Sequence, residues 1–215
     1  RRENILKEIS ESHENIKSFP LDVTDKTKCK EVFEQIKSHY SNVDICFFST
    51  GTWNPKKEKD IDVEQIENVF KVNFFGTVNS IKAVEEYFKN KNSGIITIVS
   101  SIAGYRGLPN SFVYGATKAA LINLAETMFL DMKEKGVGVH LVNPGFVETR
   151  LTRKNSFAMP MIIQPHEAAK QIMKGIEIGS FEIHFPKTFT FFLKMMRILP
   201  YKLYFYLVEF FTKNN

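Results

Sequence analysis

Short apolar runs alternate with helix-patterned stretches along most of this chain, and that alternation constrains the fold more than any other feature. Residues 43–48, 95–99, 137–142 and 181–185 have strand length and are rich in Val, Ile and Phe. Residues 16–23 read as a further short strand ending in Leu21-Asp22-Val23. Between these runs the pattern is helical. Thr24 is placed to cap a helix to about residue 40, with Val32, Phe33 and Ile36 on its buried face. Further helices are predicted from about 63 to 90, from 111 to 135 and from 165 to 178. A strand that is apolar nearly throughout is covered on both faces. The expected fold is therefore α/β, a doubly wound parallel sheet with helices on either side. In such sheets ligands bind beyond the carboxyl ends of the strands. Asp22, Gly51, Ser101 and Pro144-Gly145 all fall at those ends.

The composition narrows the function classes. The chain has 215 residues, of which 43% are hydrophobic, enough for one sizeable core and too many for a disordered chain. Its net charge is +5, with lysines scattered among acids. That pattern reads as a solvated surface and not as a nucleic-acid footprint. It also suits a site for a phosphorylated cofactor. The two cysteines, Cys29 and Cys46, lack metal-ligand spacing, so neither a metal nor a disulfide is expected, and a reducing, cytoplasmic setting follows. No stretch is a clean span of about twenty apolar residues.

The chemistry concentrates at Tyr114-Gly115-Ala116-Thr117-Lys118. On a helix, Tyr114 and Lys118 share one face. A phenol with a pKa of about 10 is a poor acid–base at neutral pH. A neighbouring ammonium favours the phenolate and lowers that value. Ser101 arrives from the end of the preceding strand, where its hydroxyl can donate to an oxygen whose charge changes. The set can pass a proton to or from an alcohol oxygen.

These residues resemble the short-chain dehydrogenase/reductase family, and the likeness runs from the start of the chain to about Phe185. Ser101, Tyr114 and Lys118 match its catalytic serine, tyrosine and lysine. Val72-Asn73-Phe74-Phe75-Gly76 matches the helix motif whose asparagine completes a tetrad. The resemblance implies that Asn73 holds a water linked to the lysine and extends a proton relay. Pro144-Gly145-Phe146-Val147-Glu148-Thr149 matches the Pro-Gly motif. By that likeness Thr149 and the Val147 backbone grip the nicotinamide carboxamide. Leu21-Asp22-Val23 matches the site that meets the adenine ring, although Asp22 could equally support the helix start. The implied fold is Rossmann-like. The implied activity is NAD(P)-dependent exchange between a secondary alcohol and a carbonyl, in a homodimer or homotetramer packed through long helices. Gly115, Ala116, Ala119 and Ala120 are small enough for close packing there.

Two departures stand out. The family's glycine-rich pyrophosphate turn is absent, so the expectation is a chain lacking the first β-α-β segment. The Asn-Asn-Ala-Gly motif appears as Phe48-Ser49-Thr50-Gly51, which keeps only the glycine that lets backbone approach a ribose. Arg1 and Arg2 lie where a cation would pair with a 2′-phosphate, so NADP is expected ahead of NAD. Residues 1–186 then form the cofactor domain, and 187–215 a C-terminal extension of two amphipathic helices. This aromatic, basic tail reads first as docking on the domain, with a membrane surface or another subunit as alternatives. Residues 150–164, with Phe157, Met159, Met161, Ile162 and Ile163, resemble the segment that closes over substrate, which points to a lipophilic carbonyl compound.

His140 reads as core, His166 as a helix-start residue and His184 as a residue near the last strand, with an approach to the pocket as its lesser alternative, while Trp53 reads equally as a pocket border or as packing. Two other readings stand beside the enzyme: a non-catalytic dinucleotide-binding scaffold, motivated by the altered motif, and an epimerase or dehydratase, which the short length and Pro-Gly motif disfavour.

Overall fold

The computed structural model describes residues 3–53, 61–155, 157 and 159–213. Four strands form one parallel sheet in the order β1-β2-β3-β4: Ile45–Phe48, Ile95–Val99, Gly138–Pro144 and Glu182–Phe185. Successive strands are joined through helices, as parallel pairing requires. α1 (Glu3–Ser12) and α2 (Lys26–His39) precede β1; α3 (Val63–Phe70) and α4 (Gly76–Lys91) join β1 to β2, α5 (Phe112–Lys133) joins β2 to β3, and α6 (Pro165–Glu177) joins β3 to β4. The tail adds α7 (Lys187–Arg197) and α8 (Tyr201–Lys213).

Alternation along the strands divides the core in two. Ile96, Ile98, Val139 and Leu141 point to one face, where they pack with Phe88 of α4 and Leu121 of α5. Val142, Ile183 and Phe185 join Ala168 and Ile176 of α6 in a second cluster. His140 is buried and its Nδ1 lies 2.7 Å from the Ser180 carbonyl oxygen, as a core histidine should. Gly136 ends α5 with φ +65°, a left-handed conformation that disfavours residues with a Cβ.

Three expectations change. Residues 16–23 form no strand, because a strand exists only through its ladder and no neighbour pairs with them among the described residues. Asp25, not Thr24, caps α2 by accepting from the Lys28 N–H. Thr24 instead donates its hydroxyl and its N–H to Asp22. The long helix from 63 is interrupted by a π-turn, Lys71–Phe75, before α4 begins. Such turns insert an extra residue per turn and are frequent at functional sites. Here the turn carries Asn73.

Candidate active site

β2 ends at Val99, and the chain turns through Ser100 and Ser101 into a 3₁₀ turn, Ile102–Gly104, laid directly on α5. Two glycines allow that contact. A Cβ on Gly104 would sit 2.7 Å from the Lys118 backbone carbon, and one on Gly115 would sit 3.0 Å from the Ala103 carbonyl oxygen. Gly115 is therefore spent on packing within the chain, while Ala116 and Ala119 remain exposed. The Ser100 hydroxyl adds a bond to the Lys118 carbonyl oxygen at 2.7 Å. Ser101 is thereby fixed beside the first turns of α5. Its Oγ accepts the Ala103 N–H at 3.2 Å, a bond that uses a lone pair and leaves the hydroxyl proton to donate.

Lys118 is buried, and its Nζ donates to the Val99 carbonyl oxygen at 3.0 Å. The same nitrogen lies 5.6 Å from the centre of the Tyr114 ring. Burial pushes its pKa down to about 8, so the ammonium persists at neutral pH. An ammonium has three donors, and one acceptor among the described residues leaves capacity for a hydroxyl-rich ligand.

Asn73 is wholly buried. Its Oδ1 accepts the Thr52 N–H at 2.7 Å, and its Nδ2 donates to the Thr52 carbonyl oxygen at 3.0 Å and to Thr117 Oγ1 at 3.2 Å. Both amide hydrogens are used, so the side chain clamps the Gly51-Thr52 backbone to α5, and a relay through this amide would have to displace those bonds. Among the described residues, protein packing does not demand Gly51: a Cβ there would meet Lys118 Nζ at 3.7 Å and Asn73 Oδ1 at 3.9 Å. Both distances are ordinary contacts. The glycine keeps bare backbone beside an under-satisfied buried cation, which fits a ribose at the nicotinamide end of a dinucleotide.

The Pro-Gly segment follows β3. The Gly145 N–H donates to the Phe185 carbonyl oxygen at 2.7 Å. The Val147 carbonyl accepts the Thr152 hydroxyl at 2.7 Å, and the Thr149 N–H donates to Thr152 Oγ1 at 2.9 Å. Pro144, Gly145, Val147 and Thr149 thus form a braced loop at the sheet edge. Asp22 accepts both Thr24 bonds locally, and Val23 packs against Gly76. Arg1 and Arg2 lie outside the described residues.

Aromatic rings line the substrate side. Trp53, which is buried, lies 5.6 Å centre to centre from Tyr114 and 6.4 Å from Phe157. Its indole N–H has no acceptor among the described residues. The His184 Nδ1 lies 2.5 Å from Thr190 Oγ1, which ties β4 to α7.

Sequence reasoning missed the cluster behind the site. Tyr105 donates to Glu182 Oε1 at 2.5 Å, Asn143 Nδ2 donates to the same oxygen at 2.8 Å, and Lys194 of α7 pairs with Oε2. Burial raises the Glu182 carboxyl, and the bonds from Lys194, Tyr105 and Asn143 outweigh it, so its pKa is lowered. Burial and the adjoining carboxylate raise that of Tyr105. The only available signal was Tyr105-Arg106-Gly107 following Ser101, since the partners lie far along the chain.

The chain matches the family model described as short chain dehydrogenase over residues 1–159. It is 29% identical over 189 residues to an uncharacterised oxidoreductase of Myxococcus xanthus, an alignment spanning 88% of this chain and 75% of the relative. It is 27% identical over 179 residues to the 3-oxoacyl-(acyl-carrier-protein) reductase FabG of Thermotoga maritima, covering 83% of this chain and 69% of that one. The solved structure described as ElxO with NADP bound superposes with a TM-score of 0.71 at 22% identity, covering 85% of this chain and 83% of the other. The protein belongs to the short-chain dehydrogenases, oxidoreductases built on the NAD(P)-binding Rossmann fold. The scaffold reading gives way to that of an enzyme.

Proposed function

We propose that this enzyme interconverts a secondary alcohol and a carbonyl on a lipophilic substrate, using NADP in preference to NAD. One observation carries the reading: the Lys118 ammonium is buried beside the Tyr114 ring with one acceptor, the Val99 carbonyl, among the described residues. Tyr114 gives its proton to the carbonyl oxygen during reduction and takes it back during oxidation. Lys118 stabilises the phenolate left behind. Ser101 donates to the same substrate oxygen as negative charge builds on it. Asn73 is a positioning residue, holding Thr52 and so the Gly51 backbone.

The nicotinamide, when bound, supplies or accepts the hydride. Gly51, Tyr114, Lys118, Val147 and Thr149 would hold its end of the dinucleotide, with Pro144 and Gly145 bracing the loop. Asp22, Val23 and Arg1 belong to the adenosine end. The NADP named in the ElxO structure supports the cofactor preference. Trp53, Phe157 and Phe146 support a lipophilic substrate, as does the 3-oxoacyl substrate named for the Thermotoga relative. Residues 1–186 form the catalytic domain of a cytoplasmic homodimer or homotetramer, and 187–215 its extension. Phe112, Phe129 and Leu130 of α5 are exposed and support a helix-mediated interface.

The test uses purified protein, NADPH or NADH, and a panel of small polar and lipophilic ketones. Oxidation of NADPH with lipophilic members is expected. Tyr114→Phe should lower the rate by about 10²–10⁴-fold, the usual worth of a positioned acid–base group. Equal rates for variant and parent would sink the mechanism, faster turnover of small polar ketones the lipophilic assignment, and tighter NADH binding the cofactor preference.

A further inference from the structure

The tail is fastened to the domain by one side and presents aromatic rings on the other. Met196, Tyr204 and Val208 are buried together. Arg106 donates to the carbonyl oxygens of Met196 at 2.9 Å and Leu199 at 2.7 Å, closing the end of α7. Its guanidinium lies 4.0 Å from the centre of the Tyr204 ring, and the Tyr204 hydroxyl donates to the Gly107 carbonyl at 2.6 Å. The outer side is apolar and open. Phe191, Ile198, Tyr201 and Tyr206 are 62, 73, 71 and 67% exposed. The faces of α7 and α8 are continuous, since Phe192 and Phe211 meet edge-on at 5.6 Å. A monomer in water seldom exposes so large a contiguous apolar patch without a partner.

Charge selects the partner. Lys187, Arg197 and Lys202 are exposed on these helices, and Glu209 is the lone acid on them. A second copy meeting this face about a two-fold axis would bring cations against cations. An anionic surface answers them. Neither helix is long and apolar enough to cross a membrane, whereas aromatic helices with basic flanks lie at the headgroup level.

From its inner side, where Phe189 packs against the domain core, α7 also connects to the catalytic tyrosine. From Tyr114 the rings of Trp53, Phe157, Phe146 and Phe189 succeed one another at 5.6, 6.4, 6.0 and 5.9 Å, and Phe189 belongs to α7. Thr188 of α7 also touches Met161 of the segment over the substrate side, with Oγ1 3.4 Å from the sulfur.

We propose that α7 and α8 rest on an anionic phospholipid surface, and that the aromatic row guides a carbonyl substrate dissolved in that surface to Tyr114. The second clause rests on the lipophilic reading above; the first does not. Sedimentation of the purified full chain with phosphatidylcholine vesicles, with and without phosphatidylserine, tests it. Binding to the serine-containing vesicles is expected, weakening with salt. Lys202→Glu should reduce partitioning by roughly fivefold or more, since each basic residue near such a surface contributes about 1 kcal/mol. Phe191→Asp with Phe205→Asp should abolish binding while leaving turnover of a water-soluble ketone intact. Absence of binding at low salt overturns the proposal. So does a wild-type dimer that those two substitutions dissociate, because the face would then belong to a second copy. If vesicles bind but lipophilic ketones are poor substrates, the lipophilic reading falls and the surface assignment stands.

Discussion

The floor beneath Tyr114 and the outer face of the tail are built on opposite rules. Under Tyr114, Asn73, Thr117 and Lys118 are buried, with Asn73 bonded to Thr117 and one Lys118 donor bonded to the Val99 carbonyl. On α7 and α8, Phe191, Tyr201 and Tyr206 stand in solvent although aromatic rings are costly there. Burial fixes a geometry; exposure holds an affinity in reserve. The floor should therefore be sensitive to single atoms, and the tail face indifferent to them until something binds.

Lys118→Met is the sharpest way to break the contrast. It removes the cation that favours the phenolate, so the rate should fall by about 10²-fold or more. Stability should move the other way. Burial places the ammonium at about 8 against an ordinary 10.5. The unfolded chain thus binds more protons between those values, and the stability of the wild type should rise as pH climbs from about 8 to 10.5. The methionine variant should lack that rise and be at least as stable at neutral pH. Chemical denaturation across this pH range measures both. A variant that is less stable at pH 7 and keeps the rise would show that the ammonium is not desolvated.

Gly104→Ala probes the floor without touching a titratable group. The new methyl would meet α5 backbone at 2.7 Å, which helix atoms cannot yield. A loss of about 1–3 kcal/mol is expected from such overpacking, together with displacement of Ser101 and a lower rate. A thermal midpoint equal to that of the parent would mean that the 3₁₀ turn is not held against the helix.

Much of this floor was legible in the sequence, for a physical reason. Tyr114 and Lys118 share a helix face through spacing alone, and residues 95–99 declare a buried strand through β-branched composition, the same span as β2. Each signal lies within one element. The clamp of Asn73 on Thr52 joins a π-turn to a loop, and the seat of Gly104 on α5 joins two elements, so neither leaves a periodicity to read. Arg106 and Glu182 are further from reach, since their partners, Met196 and Lys194 of α7 and Asn143 of β3, lie 12 to 90 residues away in sequence. Residues 16–23 failed in the opposite sense: their apolar pattern is strand-like, but a pattern without a pairing neighbour makes no strand.

The smallest expected effect lies on the tail. Phe205 is 55% exposed, and its ring stacks on Tyr201 at 5.8 Å without entering the buried cluster below. Phe205→Ser should change the unfolding free energy by no more than about 0.5 kcal/mol, the range of ordinary surface positions. Val208, one turn along the same helix, is buried against Tyr204 and Met196. Val208→Ser should cost several times more, because it removes apolar area from a packed site and buries a hydroxyl. Urea unfolding of the two variants separates the faces of α8 without any ligand present. Equal losses would mean that the ring of Phe205 is packed in solution, that the apolar face is covered by the chain itself, and that the contrast between floor and tail is one of degree.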